Sequence, residues 1–93
     1  MDVKEAVTRA KTYLAELYSD ERISNVGLEE VEMDDKENIW TITIGFSRPW
    51  DEPRNPFAAI TNQPTVLKRS YKIVRVNNLN GAILSVKNRD ALG

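Results

Sequence analysis

Two aromatics and two guanidinium groups fall inside one short span of the chain, at Arg48, Trp50, Arg54 and Phe57. Trp and Arg are the side chains that most often dominate protein–protein contacts, because each covers a large area and still makes directed polar contacts. Pro49, Pro53, Pro56 and Pro64 thread the same stretch. Prolines reduce the entropy lost when a loop is ordered against a partner. The chemistry on offer is therefore recognition of another protein. The competing arrangement folds Trp50 and Phe57 back as a lid on the core, and these residues alone allow both.

A second group is basic. Lys68, Ser70 and Lys72, with Arg75 and Lys87, are expected as a patch on one face of a sheet, and Lys68 and Lys72 join the candidate partner-binding residues. Nucleic acid would want stacking aromatics interleaved with those cations. The alternate strand positions supply none, and a sequence pI of about 5.4 opposes phosphate binding. A solvated face is the favoured reading. A third group, Asp34-Asp35-Lys36-Glu37-Asn38, is acidic. Calcium loops need a Gly for their sharp bend, and no Gly lies between Met33 and Gly45. The segment reads as a hairpin tip.

The sequence holds no cysteine and no histidine. This excludes disulfides, thiolate nucleophiles, Ser-His-Asp triads and the usual zinc and haem sites. Ser70 and Ser85 have basic neighbours, but as strand residues mostly on an outer face. Paired carboxylate catalysis needs two acids in a cleft with divergent environments, which nothing in the spacing indicates. The expectation is a chain without catalysis, cofactor or metal.

These residues must be positioned by a small frame. Ninety-three residues fit a single domain 1–93, and a chain of that size buries roughly 60–65% of its unfolded surface. No apolar run approaches the roughly 20 residues that span a bilayer. The charged start, Met1-Asp2-Val3-Lys4-Glu5, lacks the pattern of a signal peptide. A cytoplasmic location is expected unless a signal peptide was removed, with no membrane partner. The net charge of −1 conceals an asymmetry: residues 1–37 carry −6 and residues 38–93 carry +5. Such polarity can mark partner surfaces, and the favoured reading is mutual neutralisation across one sheet.

Val3, Ala6, Val7, Ala10, Leu14, Leu17 and Tyr18 recur at three- and four-residue steps, which predicts a helix over 3–18 with Asp2 as its N-cap. Strands are predicted over 26–33, 39–47, 65–77 and 82–88, with a long proline-bearing loop over 48–64. Alternation slips at Glu29-Glu30, as a β-bulge would require. Trp40, Ile42, Ile44 and Phe46 should face the helix. Tyr71 and Ile73 share one face of the third strand, and Val74 and Val76 take the other. In the last strand Ala82, Leu84 and Val86 should point inward. The fold class is α+β, one N-terminal helix on a four-stranded antiparallel sheet in the order α-β-β-β-β.

The run Tyr71-Lys72-Ile73-Val74-Arg75-Val76, the turn Asn77-Asn78-Leu79-Asn80-Gly81 and the run Ala82-Ile83-Leu84-Ser85-Val86 resemble the closing hairpin of PepSY domains. Those domains start with a helix and end in a Tyr-x-Val-x-Val strand, a polar pair, a Gly turn and a final strand. The resemblance lies mainly in residues 66–87 and extends loosely over the chain; a helix against an antiparallel sheet is also similar to the cystatin-like group. PepSY domains usually carry an Asp where Asn77 and Asn78 stand, and are mostly exported or membrane-tethered. The resemblance implies a non-catalytic module that binds or inhibits other proteins, with no catalytic residues to carry over.

Residues and resemblance together lead to one expectation, a protein-binding module acting as an inhibitor or immunity-type partner. The alternative is a self-associating protein, a homodimer or larger assembly built through sheet faces or edge strands.

Overall fold

Asp2 decides where the helix begins. Its backbone is extended (φ −88°, ψ 172°), and its carboxylate accepts the Glu5 N–H at 2.8 Å. That bond satisfies one donor of a first turn that has no intrahelical acceptors. The Glu5 side chain turns forward to Arg9, at 3.3 Å, instead of back to the cap. The computed structural model describes residues 1–49 and 69–89. Within them α1 spans Val3–Leu17 and ends where Tyr18 donates back to the Leu14 carbonyl at 3.0 Å.

Four strands follow: β1 Ser24–Asp34, β2 Ile39–Ser47, β3 Ser70–Asn77 and β4 Ile83–Asn88. Each pairs antiparallel with the next, giving the spatial order β1-β2-β3-β4. The architecture is the expected α-β-β-β-β, one helix on one sheet. Ala6, Ala10 and Leu14 form the buried stripe of α1. Two alanines let the helix axis approach the sheet closely, so that Ile42, Ile44, Val74 and Val76 close a core with no exposure. The helix packs on the central strands β2 and β3. The helix-facing sides of β1 and β4 are left as flanks.

Register settles which side chains share a face. The slip expected at Glu29-Glu30 is present: Leu28 pairs with Ile44, while Glu30 pairs with Thr43. A second irregularity lies between Ser24 and Gly27, where Asn25 has φ 53°. In β4 the expected phase holds for Ser85, Val86 and Lys87 and reverses at Ile83 and Leu84. Ser85 pairs with Arg75 and Ile83 with Val76, so one extra residue, Leu84, intervenes. This bulge turns Ile83 onto the core beside Val86 and leaves Leu84 48% exposed.

The two turns lie at the same end of the sheet and are tied together. Asp34 accepts the N–H groups of Lys36 and Glu37 at 3.0 and 3.2 Å. In the second turn Asn77 accepts from Leu79 and Asn80 from Ala82. Asn78 joins them: it accepts the Trp40 indole N–H at 2.8 Å and donates its side-chain amide to Asn38 at 2.9 Å. Its backbone N–H reaches the Asn38 carbonyl at 3.0 Å. A half-buried Trp N–H is costly without an acceptor, so Asn78 fixes both the indole and the spacing of the turns.

Candidate functional site

Of the six residues selected from sequence as partner-binding, Trp50, Arg54, Phe57 and Lys68 lie outside the described residues. Most of the 48–64 loop lies there too. Arg48 and Lys72 are described, and each lies against an aromatic ring of the chain itself. Lys72 pairs with Ile44 and so lies on the helix side. Its ammonium stands 5.9 Å from the Tyr18 ring centroid and bonds the Asn88 side chain. Arg48 lies 5.2 Å from the same ring and 5.7 Å from that of Phe46. Those rings themselves pack at 5.4 Å and 42°. The expected patch is split because β3 alternates: Lys72 faces the helix, while Arg75 and, through its pairing with Ile73, Lys87 face the other way.

The remaining cations at this end of the sheet are also engaged. Arg89 sits 5.4 Å from the Tyr71 ring. Arg69 crosses β2 to reach the far strand, donating to the Asn25 carbonyl at 2.9 Å and the Glu29 carboxylate at 3.3 Å. A β-carbon at Gly45 would stand 2.7 Å from the Glu29 carboxylate and 2.9 Å from the Arg69 guanidinium. Gly45 is therefore the saddle over which this ion pair passes. Glycine inside a strand is the sequence signal for such a close approach, and it was available at position 45.

The acids behave differently. Below its bulge β1 carries Glu30, Glu32 and Asp34 on the face away from the helix, opposite Thr43, Thr41 and Ile39 of β2. All three are exposed. Asp34 spends one oxygen on its own turn. Glu30 and Glu32 have no hydrogen-bond or ion-pair partner among the described residues. No group of three or more acids there could hold a metal ion.

On the helix side of the same strand the surface is apolar. Val3, Val7 and Leu28, with Lys4 and Thr8, line a groove of about 370 Å³ between α1 and β1. Val3 of α1 remains 39% exposed, and Leu28 remains 43% exposed although its pairing with Ile44 puts it on the helix side of the sheet. β1 pairs only with β2 among the described residues. An outer strand turns every second N–H and C=O away from its one neighbour. Among the described residues, one flank thus offers unpaired backbone, carboxylates without a partner on one side and an aliphatic groove on the other. The acidic run and the bulge are legible in the residue pattern; that the helix stops short of β1 has no signal in it.

No described helix is long and apolar enough to cross a membrane. Comparison with protein-family models, curated proteins and solved structures finds no match for the chain.

Proposed function

We propose that this chain is a non-catalytic protein-binding module that receives its partner along the outer flank of β1. The observation that carries the reading is a coincidence on one strand: among the described residues, an edge without a strand neighbour and carboxylates without a partner at Glu30 and Glu32, with the Val3–Val7–Leu28 groove beside them. Exposed aliphatic surface rimmed by charge is the usual composition of a docking site. The absence of His and Cys from the sequence and the resemblance to PepSY and cystatin-like domains agree with action by occupancy. Such a module would serve as an inhibitor or immunity-type partner of the protein it covers.

The test is a titration. A partner recovered from the native host is added to ¹⁵N-labelled protein and amide shifts are followed. Shifts should concentrate in residues 26–34 and in the first two turns of α1. Shifts confined to 48–68, or to β4 and its turn, would overturn the β1 assignment.

One observation favours a second reading, self-association. On the face away from the helix, acids on β1 and the bases Arg75 and Lys87 on β3 and β4 occupy opposite sides. A two-fold axis parallel to the strands would set the acids of one copy against the bases of another. Light scattering over a concentration series decides it, since a strict monomer rejects this reading.

A further inference from the structure

The chemistry of the β1 flank specifies its occupant further than "a protein", and this step rests on the β1 reading just given. From Glu30 to Asp34 the strand pairs with β2 residue for residue, without interruption. The two bulges lie on its other half, so the uninterrupted half presents a regular outer edge. A regular edge selects an extended chain, because only an extended chain places its own N–H and C=O groups at the repeat of a strand.

A chain added there alternates its side chains between two environments. On one side it meets Glu30, Glu32 and Asp34, of which the first two are unpaired among the described residues. On the other it meets Val31 and Met33 of β1 and, beyond the bulge, Leu28 with Val3 and Val7 of α1 across the groove. Cations suit the first side and aliphatic side chains the second. We propose that the β1 flank binds, by strand addition, an extended protein segment whose residues alternate between Lys or Arg and aliphatic side chains.

A second copy of this chain fits less well. Pairing β1 with β1 would set two rows of carboxylates side by side, and like charges in register oppose pairing. β4 offers one cation, Lys87, and its alternation is broken at Leu84.

The probe is a short synthetic peptide alternating Lys and Val, titrated against the intact ¹⁵N-labelled chain. Four controls accompany it: a peptide with the same residues in blocks, one alternating Glu and Val, and two versions N-methylated on one or the other alternate set. The alternating Lys/Val peptide should shift amides of 28–34. One N-methylated version should lose binding, since one set of amides faces β1. Glu30→Lys with Glu32→Lys should weaken binding by about tenfold or more, as expected when several exposed charge contacts reverse sign together. Equal binding by the blocked peptide, or by both N-methylated versions, would overturn strand addition. Equal binding by the Glu/Val peptide would overturn the cationic requirement. Concentration-dependent shifts at 28–34 in the protein alone, with a dimer mass by light scattering, would assign the edge to a second copy. If the peptides fail while a native partner still shifts β1, this inference falls and the proposed function stands. If neither shifts β1, both fall.

Discussion

Where β2 ends and β3 begins, the molecule gathers cations; along the lower half of β1 it gathers acids. By sequence the two look like mirror images, each a run of like charge near a turn or loop. Their surroundings differ. Arg48 lies against Tyr18 and Phe46, Lys72 against Tyr18 and Asn88, Arg89 against Tyr71, and Arg69 against Glu29 and Asn25. Glu30 and Glu32 have no such partner among the described residues. The basic end uses its charge to close the fold, with aromatic rings and a cross-sheet ion pair as acceptors. Among the described residues the acidic flank leaves the charge of Glu30 and Glu32 unspent. A charge cluster points to a partner molecule only where the chain itself has not supplied one.

The sharpest way to break this contrast is to remove the platform under the cations. Phe46 is fully buried and supports both Tyr18 and Arg48. Phe46→Ala should destabilise by about 3–5 kcal/mol, the usual range for emptying an aromatic site in a core. Urea unfolding measures it through the midpoint. A loss below about 1 kcal/mol, the size of a surface change, would mean that the basic end is decoration and the contrast is false.

Much of the frame behind this contrast was readable from residue pattern. The helical stripe, the inward set of β2 and the slip at Glu29-Glu30 all follow from period and phase, which are local properties of the chain. What failed was non-local. Lys72 reads as an open-face cation beside Arg75 and Lys87; only its pairing with Ile44 places it on the helix side, and pairing with Gly45 and Thr43 places Tyr71 and Ile73 on the other. Leu84 looked inward because nothing in the run Ala82–Val86 announces a bulge. The flank of β1 was illegible for a related reason. Its apolar groove exists because α1 settles over β2 and β3, and where a helix settles depends on the small residues Ala6 and Ala10 meeting a particular pair of strands.

At the opposite end of the sheet an amide and not a ring does the holding. Asn78→Ala strands the Trp40 indole N–H and cuts the link to Asn38. Leaving a half-buried donor without its acceptor costs about 1–3 kcal/mol. Trp40→Phe introduced into the Asn78→Ala chain should recover part of that loss, because the orphaned donor is then gone. If the double variant is instead less stable than Asn78→Ala by the full cost of Trp40→Phe alone, the two residues are not coupled. The turn end would then owe its order to backbone bonds only.

The smallest effect carries the comparison's sign. Glu29 and Glu30 are neighbours in sequence, but among the described residues only Glu29 has a cation, at 3.3 Å. Glu29→Gln should lower stability at low salt by about 0.2–1 kcal/mol, the range for a partly exposed pair. Glu30→Gln with Glu32→Gln removes two carboxylates from a face that already holds Glu29 and Asp34, so it should leave stability unchanged or raise it by up to about 0.5 kcal/mol. Both differences should shrink at high salt, as screening shortens the reach of exposed charges. Urea midpoints at low and high salt distinguish the cases. Carboxylates that cost the fold nothing to lose are free to serve a partner, and a clear loss of stability on removing Glu30 and Glu32 would show that they, too, are engaged within the chain.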